Sequence, residues 1–210
     1  MNRLDPRHKV VAIALASLAG YVDALAFIEL KGFFVSFMSG NSTRMGVGLI
    51  EHQADWQKAL ALITCFGAGV VLGSLVGRKV ERHRAAKLIA MIAALLGAAA
   101  LTMTLEGPRT FAIALMALGM GAVNAVFEKD GQVSFGLTYM TGAIVKLGQH
   151  VAAFLSGERP QGSISYALLW LGLVGGAALA AFTHPIWGLG GLWAASLFAA
   201  ALAAIMWRDA

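Results

Sequence analysis

Charge, acid and cysteine are all scarce in this chain. Only 13% of its 210 residues are Asp, Glu, Lys or Arg, against about 25% in a soluble domain. Eleven are acidic and one is cysteine. The lone Cys65, inside an apolar stretch, excludes a disulfide framework and any cysteine-rich metal site. There is no His-rich metal box, no Gly-x-Ser-x-Gly elbow, and no His placed near a nucleophile in sequence. Nothing therefore invites an intramembrane enzyme, and no cofactor, metal or catalytic residue is expected.

What the chain has is apolar surface: 59% of it is hydrophobic and its mean hydropathy is +0.74. A spanning helix needs about 20 mostly apolar residues, so a chain of this length holds roughly six to eight spans and no sizeable soluble domain. The expectation is a single polytopic domain over residues 1–210, with the bilayer as its main partner. The net charge of +5 is no nucleic-acid footprint, because most of it lies in two clusters that carry topology information. Arg3, Arg7 and Lys9 precede an apolar run, and Ala24-Leu25-Ala26 resembles a cleavage site. Removal of that run as a leader is not expected, because it contains a motif that returns in mid-chain.

That motif is Gly20-Tyr-Val-Asp-Ala, which matches Gly121-Ala-Val-Asn-Ala at an offset of 101. A second pair, "FMSGNSTRMG" from Phe37 and "YMTGAIVKLG" from Tyr139, follows at an offset of 102. Next come glycines four apart, Gly69, Gly73 and Gly77 in one half and Gly172 and Gly176 in the other. Three features in one order define two repeat units, about 10–105 and 110–207.

Candidate elements are 10–30, 32–50, 57–77, 86–105, 110–128, 132–156, 163–183 and 185–207, with His184-Pro185 as a turn between the last two. Three Lys/Arg lie in the N-terminal arm and five lie between Arg78 and Lys87. The positive-inside rule puts both clusters in the cytoplasm, so an even number of crossings separates them. Three elements lie between, and 32–50 is the most polar. The expected fold is an all-α membrane protein with six spans plus two broken or re-entrant Ser/Thr-Gly segments, built as inverted-topology repeats. The alternative is eight spans in parallel repeats. Either way both termini are expected in the cytoplasm, in a multi-pass protein of the cytoplasmic membrane.

An ionisable group inside a span needs a reason. Asp23 sits in the first apolar run, with Asn124 as its repeat partner, and Arg44 and Lys146 occupy equivalent places after the Ser/Thr-Gly pairs. These groups either present themselves to a solute or coupling proton, or Asp23 pairs with Arg44 or Lys146 and fixes a broken helix. Long basic side chains near a helix end also snorkel. Ser39, Gly40 and Asn41 in the first segment and Thr141 and Gly142 in the second are the candidate backbone breaks and ligands, with Tyr21 and Tyr139 beside them. Asn41 has Ala143 opposite it, so the first copy is richer in ligands. The glycine ladders read as packing, Glu29 and Glu128 as interfacial, and the five tryptophans as headgroup anchors.

At "GYVDALAF" from Gly20, "FVSFMSGNSTRMG" from Phe34, "GMGAVNAV" from Gly119 and "TYMTGAIVKLG" from Thr138, the chain resembles the YoaK-like family of bacterial integral membrane proteins. Family members more often carry Thr-Gly-Asn in the first Ser/Thr-Gly motif and Gln before the mid-chain Asn, where this chain has Ser39-Gly40-Asn41 and Val123-Asn124. The resemblance implies a small multipass protein and no particular substrate. "GSLVGRKVERHR" from Gly73 is similar to a cytoplasmic loop of major-facilitator transporters, an architectural analogy to half of that fold.

The leading functional expectation is a small secondary transporter or permease for a small polar, anionic solute, coupled to protons through Asp23 and working as a homodimer. An uncoupled channel and a non-transporting assembly or sensor subunit are the alternatives.

Overall fold

The computed structural model describes residues 6–52, 55–80, 82–129, 132–133, 140–158 and 163–208. Eight α-helices lie in this part of the chain: α1 Pro6–Glu29, α2 Met38–Ile50, α3 Asp55–Lys79, α4 Arg84–Thr104, α5 Arg109–Val123, α6 Met140–Leu155, α7 Ser163–Trp187 and α8 Leu192–Arg208. A two-residue antiparallel pairing of Glu128–Lys129 with Gln132–Val133 follows α5. The remaining regular structure among the described residues is helical, in keeping with the composition: backbone in hydrocarbon must satisfy its own hydrogen bonds.

By length and apolarity, four helical stretches suffice to cross a membrane: 7–29, 55–79, 84–104, and 164–208, the last comprising both α7 and α8. Helix α5 is apolar but only 15 residues long. Helices α2 and α6, which carry the Ser/Thr-Gly motifs, are the least buried. Asn41 and Gly48 are the buried residues of α2 and Ala143 that of α6.

Helix α1 packs along α7, α3 along α5, and α4 along both α5 and α8. Side-chain neighbours give the directions. Gly172 lies against Ile13 and Gly176 against Ser17, and Tyr21 meets Thr183, so α1 and α7 run parallel. Gly69 lies against Leu118, Gly73 against Ala122 and Ser74 bonds Glu128, so α3 and α5 also run parallel. Ser196 bonds the Ala93 carbonyl, Trp193 bonds Thr104 and His83 stacks on Trp207, so α4 and α8 are antiparallel.

The parallel pairs are held by backbone contact through glycine. A Cβ on Gly20 would collide with the Leu173 carbonyl, and one on Gly176 with the Ser17 carbonyl. A Cβ on Gly121 would meet the Phe66 carbonyl, and one on Gly69 the Leu118 carbonyl. These are two copies of one set of contacts. Gly20 and Ser17 map onto Gly121 and Leu118 at an offset of 101, while Phe66 and Gly69 map onto Leu173 and Gly176 at 107. Within the two glycine ladders, Gly69 is thus equivalent to Gly176 rather than to Gly172. The physical reason is loop length. More residues separate α6 from α7 than α2 from α3, which shifts the register without changing the glycine spacing. Gly77, the third rung, does not pack on α5. It leaves room for the Arg84 guanidinium, whose Nη2 would be 2.6 Å from an added Cβ.

The expected turn at His184-Pro185 is also corrected. Helix α7 continues through Pro185 to Trp187, and the break is the 3-10 turn Gly188–Gly191. Near a helix end, proline sacrifices a single i to i−4 bond, whereas Gly188 adopts φ +51°, which favours glycine.

Candidate functional site

The expected break in the first Ser/Thr-Gly segment lies just upstream of Gly40. Residues 33–37 are non-helical, between a turn at Lys31 (φ +55°) and Gly32 (φ +104°) and the start of α2 at Met38. Phe33, Val35 and Ser36 are buried nonetheless. Buried backbone outside a helix must find partners, and here two side chains supply them. Asp23 Oδ1 accepts the Val35 N–H at 2.7 Å and the Ser36 N–H at 2.8 Å. Asn41 Oδ1 accepts the Phe34 N–H at 3.1 Å, and its Nδ2 donates to the Phe34 carbonyl at 2.6 Å. Three consecutive amides and one carbonyl are thereby satisfied. Asp23 lies six residues before the end of α1, or about 9 Å along the axis, so the segment descends beside the helix to that depth.

Asp23 therefore does not pair with Arg44 or Lys146. The Arg44 guanidinium lies over the Phe33 ring, 4.8 Å from its centroid, and Lys146 is exposed on α6. The reason is local. The loop that α1 must cover brings two bare N–H groups to Asp23 within 13 residues of chain, and these bonds are short and charge-assisted.

The remaining sequence-predicted residues are dispersed. Asn124, 5% exposed, bonds back to the Met120 and Gly121 carbonyls of α5. The Tyr21 hydroxyl meets Thr183 at 3.2 Å on α7. Ser39 is exposed, and Gly40 makes room for the Phe37 ring, 2.6 Å from where its Cβ would stand. Thr141 is exposed and Gly142 has open space around it. Tyr139 lies outside the described residues. Helix α2 packs on α3 and α6 on α7, so the two motifs are not built into one centre.

Two polar clusters escaped the sequence reading. At the end where α1 finishes, Glu29 bonds His184 of α7 at 3.0 Å and Arg109 of α5 at 3.4 Å. At the opposite end, Glu128 accepts from Ser74 of α3 at 2.7 Å, while Arg84 donates to the Gly77, Val126 and Glu128 carbonyls. Each cluster ties one glycine-packed parallel pair together, and they lie at opposite ends of the bundle. Glu29 and Glu128 were expected only as interfacial groups. The available signal was that a chain with eleven acids places two of them at equivalent run ends.

Apolar helices on this scale, joined through bare glycine contacts and enclosing a carboxylate-held irregular segment, define a small multi-pass α-helical membrane protein. The chain belongs to the family described as a protein of unknown function, DUF1275, whose profile matches residues 11–205. This agrees with the YoaK-like resemblance of its motifs. It is 36% identical over 196 residues to a UPF0700 transmembrane protein of Rhizobium meliloti (strain 1021), covering 91% of this chain and 82% of that protein. No solved structure matches.

Proposed function

We propose that this protein is a small secondary transporter or permease of the cytoplasmic membrane, moving a small polar, anionic solute, with Asp23 as the coupling carboxylate. The observation that carries the reading is the irregular 33–37 segment at the depth of Asp23, held by that carboxylate's two amide bonds. Transporters use unwound backbone at helix breaks for binding and gating. Protonation of Asp23 would weaken both bonds and release the segment, which gives proton binding a mechanical consequence.

Six crossings in two inverted repeats are part of this proposal, with α2 and α6 entering without crossing. Parallel α1/α7 and α3/α5 and antiparallel α4/α8 support it: α1, α4 and α7 then run one way and α3, α5 and α8 the other. Exchange of the two units reverses every helix. Orientation follows from charge. Arg7, Lys9, Arg78, Lys79, Arg82, Arg84, Lys87, Lys129 and Arg208 lie at the end where α1 begins, against Lys31, Arg44, Lys58 and Arg109 at the other. The positive-inside rule makes the first end cytoplasmic, with both termini.

The Glu29–His184–Arg109 and Ser74–Glu128–Arg84 clusters suit the outer and inner latches of such a machine, since opening at either end would part a parallel pair. A second reading has its own support. Asp23 Oδ1 is fully used by backbone amides, as a purely structural carboxylate in a non-transporting assembly or sensor subunit would be.

Purified protein in liposomes separates the two. With an imposed proton gradient, the wild type is expected to take up small carboxylates or phosphate, and Asp23→Asn to lose the gradient dependence. Absence of flux from wild-type vesicles would overturn transport, and gradient-driven flux through Asp23→Asn would overturn the coupling role.

A further inference from the structure

The cations of α2 and α3 meet over one aromatic ring. The guanidinium carbon of Arg44 is 4.8 Å, and Lys58 Nζ 6.0 Å, from the Phe33 centroid. Phe33 itself is 2% exposed, a fixed platform. On the other side Gly32 makes space: an added Cβ there would stand 2.5 Å from Arg44 Nη2, and φ is +104°. Glycine is thus required twice, for the turn and for the guanidinium. Among the described residues the Arg44 guanidinium lies over the Phe33 ring and makes no hydrogen bond or ion pair.

Arg44 also lines a cavity of about 160 Å³, with Phe33, Thr43, Val47, Gly48 and Asp55, room for roughly five waters at ~30 Å³ each. Arg44 is the one cation among those lining residues. Thr43 gives its hydroxyl proton to the Ser39 carbonyl at 3.2 Å. The Asp55 carboxylate is offset by Lys58 at 3.0 Å, which leaves the charge of Arg44 uncompensated there. A guanidinium fork matches the two oxygens of a carboxylate or phosphate.

We propose that Arg44, placed over Phe33, binds a small oxyanion in this cavity, the carboxylate or phosphate group of a solute or of a lipid headgroup. The site lies between α2 and α3 at the end of the bundle where α1 finishes. Binding stands without transport; that the anion is cargo rests on the transporter reading.

The test is titration of the purified full-length protein with acetate and with inorganic phosphate at constant ionic strength, followed by calorimetry. Native mass spectrometry of protein from phosphatidylglycerol nanodiscs runs in parallel. Saturable binding is expected, weakened about tenfold or more by Arg44→Gln and less by Lys58→Gln, which uncovers the Asp55 charge and guards against misfolding of the first variant. Arg44→Lys is expected to fall between, since it keeps charge but loses the fork. Retention of phosphatidylglycerol that disappears in Arg44→Gln, with no response to free anions, assigns the site to a lipid headgroup. Neither ligand binding to the wild type, binding unchanged in both glutamine variants, or competition by tetramethylammonium at the Phe33 ring would each overturn the proposal. Anion binding in protein that shows no liposome flux would keep the site and remove the transporter.

Discussion

The carboxylate of Asp23 and the backbone of Ser36 are joined by a 2.8 Å hydrogen bond across the join between a long apolar helix and an irregular segment. With the companion bond to Val35 it explains why a carboxylate is tolerated here. The acid takes the place of water for amides that the chain exposes when it leaves helical geometry.

Removing that acceptor should cost stability before it costs anything else. Asp23→Ala orphans two buried amides at about 1–3 kcal/mol each, so a loss of roughly 2–6 kcal/mol is expected in detergent unfolding. Asp23→Asn keeps an acceptor oxygen and should lose about half as much, because neutral bonds are weaker than charge-assisted ones. Equal stability of Asp23→Ala and wild type would show that these bonds do not hold the segment.

Asn41 makes a paired prediction. Its amide both accepts from and donates to Phe34, so Asn41→Ala should destabilise by roughly 2–4 kcal/mol. Asn41→Asp removes the donor to the Phe34 carbonyl and buries a charge, so it should be no better than alanine. A stable Asn41→Asp protein would contradict the geometry.

Glycine substitutions should divide sharply by position. Gly176→Leu and Gly69→Leu drive a side chain into the facing carbonyls of Ser17 and Leu118 and should abolish folded protein, measured as monodisperse yield. Gly46→Ala and Gly142→Ala meet open space inside helices and should be neutral or stabilising, by up to about 1 kcal/mol from helix propensity. Tolerance of Gly69→Leu and Gly176→Leu together would dismiss the close packing of both parallel pairs.

The topology prediction is read by labelling. On a Cys65→Ala background, cysteines at His52, after α2, and at Glu158, after α6, are both exposed. Inverted repeats place them on opposite sides, with position 52 outside and 158 inside. Impermeant maleimide reaching both from one side of intact cells would rule the inverted arrangement out.

Much of this was legible in the chain. Composition dictated a membrane protein, and the recurrence of Gly20-Tyr-Val-Asp-Ala as Gly121-Ala-Val-Asn-Ala is the basis for expecting two units. The break was expected in the first Ser/Thr-Gly segment, and the structure puts it a few residues earlier, at 33–37, because Gly40 sits within α2 where it clears Phe37. The partner of Asp23 was not legible, since the expected options were side-chain cations and the actual partners are backbone amides that carry no sequence signature.

The sequence by itself determined class and the places where polarity enters the apolar runs, because these depend on composition and short-range pattern. Only the tertiary structure decided which groups meet. Asp23 with Ser36, Glu29 with His184, Arg84 with the end of α5 and Gly69 with Leu118 rest on loop lengths and helix register. Those set distances across the bundle, and a shift of one turn is enough to exchange one neighbour for another.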